Sequence, residues 1–190
     1  MEYAVLLYFD HRTEKKIQEW MNQLVEAGVN RSLVNMDMRP HLTIAEVDAR
    51  DGSTLEKEVV RLTDEINQYE IRLASLGFFP NDDGVLFMAP IVEEPLLIFH
   101  RKVHEALEPI SEAFSPLYLE ANWVPHCTLA LELDEQQFAA AYKVMHKVFE
   151  PLTARIEDIG IFKCCPYREH MVRPILPKYK LNRDEADRTK

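Results

Sequence analysis

The feature of this sequence that most constrains its fold is a short phrase that occurs twice. The residues Pro40-His41-Leu42-Thr43 return as Pro125-His126-Cys127-Thr128, and an apolar stretch follows each copy, at 44–47 and at 129–133. Side chains i and i+2 lie on the same face of a β-strand. Each copy therefore predicts a strand that presents an imidazole and a hydroxyl on one face and buries apolar residues on the other.

The buried residues of the two strands follow from the same alternation. In the first copy they are Leu42 and Ile44, and in the second they are Cys127, Leu129 and Leu131. Two imidazoles and two hydroxyls that face each other across a cleft would suit acid–base chemistry on a phosphate ester.

The sequence around the two phrases repeats as well. Downstream of each phrase, a helix N-cap signal and an amphipathic helix precede a strand-like run, at 69–79 and at 155–165. Gly77 and Gly160 occupy matching places in these runs, 83 positions apart, and the two histidines are 85 positions apart. An apolar strand and a helix also precede each phrase, so each half is predicted as strand–helix–strand–helix–strand.

Capping residues and apolar spacing predict where the helices begin. The first helix is expected to begin near Thr13, and the helix after the first phrase is expected to be capped by Ser53, with Glu56 completing a capping box. In the second half, Pro95 is expected to begin one helix and Asp134 to cap the next.

The duplication predicts the fold class and the domain organisation. We expect an α+β fold of two pseudo-symmetric lobes, in which the two His-x-Thr strands meet at a central cleft. A single bilobal domain is expected over residues 1–177, with internal repeats at about 1–80 and 84–175. Residues 178–190 are predicted to form a charged C-terminal tail.

Composition and charge limit the classes of function. The chain is 47% hydrophobic, but none of its apolar runs reaches the length of a transmembrane helix, so we expect no membrane partner. Its three cysteines do not indicate a disulfide framework, so we expect a cytoplasmic protein. We also expect the protein to be a monomer. A net charge of −10 argues against a protein that coats long double-stranded nucleic acid, whereas a nucleotide or an RNA end is compatible with it.

The paired phrases and the duplicated layout resemble the two-histidine (2H) phosphoesterases, a superfamily that includes the bacterial 2′-5′ RNA ligase and cyclic phosphodiesterase group. The resemblance covers about residues 1–175. It implies that His41 and His126 are catalytic and that Thr43 and Thr128 bind the phosphate. It also implies antiparallel sheets around the cleft, no metal ion or other cofactor, and hydrolysis of a 2′,3′-cyclic phosphate or a 2′-linked nucleotide or RNA end, with RNA ligation as a related activity.

Two other functions are compatible with the same residues. The chain could bind a nucleotide or an RNA end on this scaffold without turning it over. It could instead hydrolyse a small cyclic phosphate, such as an ADP-ribose cyclic phosphate. A strongly basic groove would favour RNA, and an enclosed, aromatic-lined pocket would favour a small nucleotide.

Four further residues are candidates for substrate contacts. Arg39 adjoins the first phrase and could contact a phosphate or simply flank a strand. Tyr8 and Trp123 could stack on a base, or pack in the core or at the rim of the cleft. Arg173 follows the last predicted strand and is a candidate cation near the cleft.

A pair of histidines outside the phrases has the spacing of metal ligands. His100 and His104 are four positions apart on a predicted helix, without the glutamate of a His-Glu-x-x-His site. We therefore expect them to lie on a solvated helix face, and we expect no metal site.

Overall fold

A computed structural model describes residues 1–79, 84–164 and 167–177 of the 190-residue chain. The described strands are β1 (Tyr3–Phe9), β2 (His41–Ala49), β3 (Tyr69–Phe79), β4 (Val85–Pro90), β5 (Ser111–Phe114), β6 (Cys127–Ala130), β7 (Leu152–Cys164) and β8 (Tyr167–Pro174). The described α-helices are α1 (His11–Glu26), α2 (Ser32–Asn35), α3 (Gly52–Thr63), α4 (Glu94–Leu107) and α5 (Glu135–Val148). The predicted α+β fold class is confirmed, and the predicted charged tail at 178–190 lies outside the described residues.

The described strands pair in antiparallel fashion in the order β5-β2-β1-β7-β3-β4-β6, with β8 added to β7. The third strand of each repeat pairs with the first strand of the other repeat, because β7 lies beside β1 and β3 lies beside β4. The N-terminal halves of β3 and β7 pair with each other. The repeats thus exchange strands, and neither repeat completes a lobe by itself. We call the part around β1, β2 and β8 the first lobe, and the part around β4 and β6 the second lobe.

The register of the central strand pair locates the pseudo-twofold axis. Ile71 of β3 lies opposite Ala154 of β7. These two residues are 83 positions apart, as are Gly77 and Gly160, so each lies opposite its own repeat equivalent. In an antiparallel pair this occurs only at a twofold axis, so the axis passes between β3 and β7 and relates the two His-x-Thr strands.

Two helices begin earlier than the sequence predicted. Asp10 is the N-cap of α1 and accepts a hydrogen bond from a backbone N–H of the first turn, so the helix begins at His11. The N-cap of α3 is Asp51 and not Ser53, because the Asp51 carboxylate accepts the Thr54 N–H at 2.7 Å. Asp51 has the extended backbone that an N-cap requires.

The starts of the helices in the second half are close to their predictions. The N-cap predicted at Asp134 is confirmed, and it is part of a capping box, since Asp134 and Gln137 exchange hydrogen bonds between side chain and backbone. Helix α4 begins at Glu94, one residue before Pro95, and Glu93 occupies the N-cap position. None of the described helices is long and apolar enough to cross a membrane.

Helices cover only one face of the sheet, and this leaves the other face for the cleft. In β1, Val5, Leu7 and Phe9 belong to the main core, together with the buried faces of the helices. The alternating residues Leu6 and Tyr8 belong to a smaller apolar cluster on the opposite face. This second cluster forms the floor of the first lobe on the side that carries the His-x-Thr residues.

Candidate active site

The first His-x-Thr phrase has the predicted strand phase. In β2, Leu42 and Ile44 are fully buried, whereas His41 and Thr43 are half-buried on the other face. The pairing of β2 with β1 places His41 opposite Tyr8 and therefore on the cleft face. The alternation inferred from the sequence thus orients the imidazole and the hydroxyl together.

The second phrase repeats this arrangement at the start of β6. Cys127 and Leu129 are buried, and Thr128 is half-buried opposite Phe87 of β4. His126 immediately precedes the strand and is also half-buried. Leu131 was predicted to be buried but is only partly so, because β6 ends at Ala130 and the chain leaves the sheet there.

The two phrases meet at the boundary between the lobes. Strands β2 and β6 contact each other, and the buried thiol of Cys127 lies close to the backbone of His41. His126 is close enough to His41 for its positive charge to lower the pKa of the His41 imidazole. The pseudo-twofold symmetry thus brings together the two phrases, which are far apart in the sequence.

Backbone carbonyl groups hold the two imidazoles in matching ways. His41 Nδ1 lies 2.7 Å from the carbonyl oxygen of Arg39, and His126 Nδ1 lies 2.6 Å from that of Val124. A carbonyl oxygen only accepts hydrogen bonds, so Nδ1 carries the proton in both rings. The Nε2 atom of each ring is therefore the one that can take up or release a proton in the cleft.

Aromatic rings support both imidazoles from the sheet. The Tyr8 ring packs edge-on against His41, with ring centroids 6.3 Å apart. Phe79 and Phe87 pack against His126 at 5.0 and 5.2 Å. The sequence patterns had not identified these two phenylalanines, although Phe79 lies two residues after Gly77, as Phe162 does after Gly160.

The repeated glycines make room for these rings. A Cβ atom at Gly160 would lie 2.5 Å from the Tyr8 ring, and a Cβ atom at Gly77 would lie 2.5 Å from the Phe87 ring. These distances are too short for any side chain, so both positions require glycine while the rings stay in place. The repeat-equivalent glycines thus allow an aromatic ring to lie across β3 or β7 beneath the histidine of its lobe.

Burial shifts the proton affinity of both candidate catalytic histidines in the same direction. Desolvation lowers the pKa of His41 and of His126, and the hydrogen bonds to Arg39 and Val124 oppose that effect. The neighbouring imidazole lowers the pKa of His41 further. Both rings therefore hold a proton less tightly than an imidazole in water.

Arg39 is committed to protein carboxylates. Its guanidinium group lies 2.7 Å from a Glu14 oxygen and 2.8 Å from an Asp158 oxygen, and it stacks over the Tyr8 ring at 4.3 Å. Two carboxylates neutralise its charge, so it is not a free phosphate-binding cation. Tyr8 is 2% exposed beneath this group and so offers no surface on which a base could stack.

The other two candidate contacts lie away from the open cleft. Trp123 is buried, and its Nε1–H donates a hydrogen bond to the Thr43 carbonyl at 3.1 Å. This hydrogen bond stabilises the backbone of the first His-x-Thr strand. Arg173 is exposed and lies opposite the core residue Ile159 in the pairing of β8 with β7. That register directs its side chain to the helix side of the sheet.

The prediction that His100 and His104 lie on a solvated helix face is wrong. His100 is 1% exposed, and its Nε2 lies 2.8 Å from the Tyr118 carbonyl oxygen. His104 stacks on it at 4.2 Å and reaches the Ile44 carbonyl oxygen at 3.2 Å. Strand β5 pairs with β2 only at 47–49, so the open edge of β2 needs such donors. Among residues 1–79, 84–164 and 167–177, no group of three or more His, Cys, Asp or Glu could hold a metal ion.

A hydroxyl and a carboxylate beside Thr43 had not been identified from the sequence. The Tyr118 hydroxyl lies close to the side chains of Thr43 and Glu46, and the Ser115 hydroxyl is also close to the Glu46 carboxylate. Alternation in β2 is interrupted at Ile44 and Ala45, which are both buried, and this returns Glu46 to the cleft face. A single bulge is hard to foresee from one sequence.

Comparison with known proteins agrees with this geometry. A sequence profile of the 2′-5′ RNA ligase superfamily matches residues 9–163. The chain belongs to the 2′-5′ RNA ligase superfamily. The resemblance to the 2H phosphoesterases inferred from the two phrases is thereby confirmed. A search of curated protein sequences found no match.

Solved structures share the fold of this superfamily member. A crystal structure titled only as a phosphoesterase is 14% identical, with a TM-score of 0.58, and the match covers 93% of this chain and 98% of that one. Escherichia coli LigT in its apo form is 16% identical, with a TM-score of 0.56, over 94% of this chain and 100% of LigT. LigT complexed with 3′-AMP is 12% identical, with a TM-score of 0.57, over 92% and 97%. The fold is shared along nearly the full length of both chains.

Proposed function

We propose that this protein is a metal-independent phosphoesterase that hydrolyses a 2′,3′-cyclic phosphate or a 2′-linked nucleotide. The observation that carries the proposal is the matched pair of Nδ1 hydrogen bonds, 2.7 Å at His41 and 2.6 Å at His126. Two imidazoles held in the same tautomer on symmetry-related strands can act on opposite sides of one phosphorus. Histidine supplies both a general base and a general acid near neutral pH.

The hydrolysis of a cyclic phosphate needs two proton transfers on opposite sides of phosphorus. One histidine accepts the proton of the attacking water at Nε2, and the new P–O bond forms in line with the bond that breaks. The other histidine donates its Nε2 proton to the departing ribose oxygen. Thr43 and Thr128 donate hydrogen bonds to the phosphoryl oxygens, where negative charge develops. The product is a nucleoside monophosphate. The two histidines return to their starting protonation states by exchanging protons with solvent.

The known complexes of a protein with the same fold support a nucleotide substrate. Escherichia coli LigT has been solved with 3′-AMP, with phosphate, with ATP and with NADP⁺. A nucleoside 3′-phosphate is one product of opening a 2′,3′-cyclic phosphate. By this analogy we propose that the cleft of this protein binds a nucleotide with its phosphate between His41 and His126.

Product identification in the presence of EDTA tests the proposal. The protein is incubated with the four nucleoside 2′,3′-cyclic phosphates and with a 2′-5′-linked dinucleotide, and the products are separated and identified. We expect hydrolysis of at least one substrate, loss of that activity in His41→Ala, and normal activity in His11→Ala, a matched control at an exposed histidine. Activity that EDTA abolishes and a divalent ion restores would contradict the metal-independent mechanism. Nucleotide binding without turnover would favour a non-catalytic binding protein.

A further inference from the structure

The cleft beside Thr43 carries a negative charge that Lys and Arg side chains do not balance. Among the described residues, Glu46 forms no ion pair with Lys or Arg, whereas Glu14 and Asp158 share Arg39. Its carboxylate lies close to the hydroxyl groups of Ser115 and Tyr118. The amino terminus acts on Glu46 from a distance, but it lies 3.8 Å from the carboxylate of a different residue, Asp48.

The location of Glu46 makes this charge relevant to a bound substrate. Glu46 is half-buried on the cleft face of β2, opposite Ala4, which belongs to the apolar floor of the first lobe. The Tyr118 hydroxyl lies close to the side chains of both Thr43 and Glu46, so the carboxylate is one side chain away from the proposed phosphate-binding hydroxyl. A ligand that reaches Thr43 with its phosphate must place its neighbouring groups next to Glu46 or in the second lobe.

We propose that Glu46 and Tyr118 form a specificity subsite for an uncharged hydrogen-bond donor of the substrate, such as a ribose hydroxyl or a base amino group. This inference rests on the proposed function and narrows its substrate class to nucleotides whose reacting phosphate is the only phosphate. A carboxylate accepts hydrogen bonds from hydroxyl and amino groups. It repels a second phosphate, and the repulsion is stronger in a half-buried site than in water.

The same charge distribution disfavours two alternative substrate classes. A nucleotide with a diphosphate, such as an ADP-ribose cyclic phosphate, and an RNA end with several phosphates both bring extra negative charge to the cleft. Arg39, which the sequence offered as a phosphate contact, is already neutralised by Glu14 and Asp158. At the first lobe, a mononucleoside cyclic phosphate therefore fits the charges better than either.

Calorimetric binding of product-like ligands tests the subsite independently of catalysis. Adenosine 3′-monophosphate is compared with adenosine 3′,5′-bisphosphate and 2′,5′-bisphosphate, using the wild-type protein, Glu46→Gln and the control Glu112→Gln. Glu112 is exposed on β5, the strand next to β2. We expect the wild type to bind the monophosphate about tenfold more tightly than either bisphosphate, because the half-buried Glu46 carboxylate repels the second phosphate. Glu46→Gln should reduce the ratio of monophosphate affinity to bisphosphate affinity to about twofold, and Glu112→Gln should leave this ratio unchanged.

A second variant tests the hydroxyl of the subsite. Tyr118→Phe keeps the ring that packs on the core and removes the hydroxyl that lies beside Thr43 and Glu46. It should weaken binding of adenosine 3′-monophosphate by about fivefold, the usual effect of one lost hydrogen bond, and leave binding of inorganic phosphate nearly unchanged. Tyr118→Phe therefore tests the subsite even if Glu46→Gln does not fold.

The outcomes separate this inference from the proposed function. If the wild type binds a bisphosphate as tightly as the monophosphate, or if Glu46→Gln leaves the ratio unchanged, the subsite is refuted even when cyclic nucleotides are hydrolysed. If the binding ratios are as expected but no substrate is turned over, the subsite stands and the phosphoesterase activity is refuted. Failure of all three nucleotides to bind would overturn both.

Discussion

The two lobes hold their histidines in the same way but surround them with different chemistry. In each lobe, Nδ1 donates to a backbone carbonyl two residues upstream, and an aromatic ring lies across a glycine beneath the imidazole. Around His41 the neighbours are ionic, since Arg39 and its two carboxylates cover Tyr8. Around His126 they are two phenylalanine rings, with centroids 4.5 Å apart.

This difference separates what the repeat fixes from what each lobe can vary. The backbone hydrogen bond and the glycine are properties of the strand arrangement, so the pseudo-twofold symmetry reproduces them. The ionic group and the aromatic pair come from side chains outside the phrases, so they can diverge without disturbing the orientation of the imidazoles. We infer that the symmetry sets the proton-transfer geometry, and that the lobes differ in the proton affinity and substrate contacts of their histidines.

Removal of either histidine should have the largest effect and tests whether the lobes are equal partners. His41→Ala and His126→Ala should each lower kcat/KM by roughly 10²–10⁴-fold, the range for a lost general acid or base. The double variant should lose less than the product of the single losses, because both groups act in one transition state. Steady-state kinetics measure this, with His146→Ala as a control at an exposed position. A variant that retains full activity would show that only one lobe performs the chemistry.

Substitutions along the two strands should separate catalysis from stability in both lobes. Thr43→Val and Thr128→Val keep the strand shape and remove one donor each, so each should lower kcat by about 10–10³-fold with little change in stability. Leu42→Ala and Leu129→Ala are core truncations and should lower the free energy of unfolding by about 2–5 kcal/mol.

Kinetics and urea unfolding of the same four proteins check this contrast. If the threonine variants unfold and the leucine variants lose only activity, the strand phase is reversed. If only one lobe follows the expectation, the equivalence of the two strands fails there.

A methyl group added at Gly77 or Gly160 tests how tightly each lobe packs around the aromatic ring beneath its histidine. Gly160→Ala and Gly77→Ala should each destabilise the protein by about 1–3 kcal/mol through overpacking, and lower kcat about tenfold by displacing the ring beneath the imidazole. We expect the larger effect at Gly160, because its added Cβ would also lie 3.1 Å from a backbone oxygen of Met171. Equal losses in thermal unfolding and kinetics would show that the Met171 backbone oxygen adds no further restraint at Gly160.

The sequence predicted the elements that depend on local patterns. The phase of Leu42 and Thr43 follows from alternation, and the N-cap at Asp134 follows from adjacent residues. The duplication also predicted a central meeting of the two phrases, because a twofold axis relates the equivalent strands. Strand exchange could not be predicted, since nothing local indicates that β7 pairs with β1 and β3 with β4.

The errors arose where distant residues decide the environment of a side chain. The helical pattern alone placed His100 and His104 on the surface. In the structure, His100 stacks on Trp123 and His104 is hydrogen-bonded to the open edge of β2. The role of Tyr118 depends on a loop that returns to β2, and that of Glu46 depends on one bulge. Such contacts join residues that are far apart in the sequence, and the spacing patterns of single helices and strands do not reveal them.

Replacement of Arg39 should change the proton affinity of one lobe alone. Burial holds both histidine pKa values below their ordinary value, so kcat/KM of the wild type should be bell-shaped with its maximum below pH 6.5. Arg39→Gln removes the cation that neutralises Glu14 and Asp158, and the unpaired carboxylates should raise the pKa of His41. NMR titration of the imidazole protons should show this shift at His41 and little at His126. Equal shifts would mean that the lobes titrate as one unit.

The smallest expected effect concerns the histidine pair that only the first lobe possesses. Burial lowers the pKa of both His100 and His104 in the folded protein. The unfolded chain therefore binds more protons than the folded protein below about pH 6.5, so the free energy of unfolding should fall as the pH is lowered from there. His104→Gln keeps a donor for the Ile44 carbonyl but cannot be protonated. It should lose less stability than the wild type between pH 7.5 and pH 5, by on the order of 1 kcal/mol.

Urea unfolding at the two pH values measures this difference, with His146→Gln as the matched control at an exposed histidine. The contributions of His41 and His126 are present in all three proteins, so they cancel in the comparison. A His104→Gln variant as acid-sensitive as the wild type would show that the stacked pair does not couple protonation to the open edge of β2. A variant that is less acid-sensitive, with normal activity at pH 7.5, would show that the stacked pair contributes to the acid sensitivity while the catalytic histidines of both lobes keep their function.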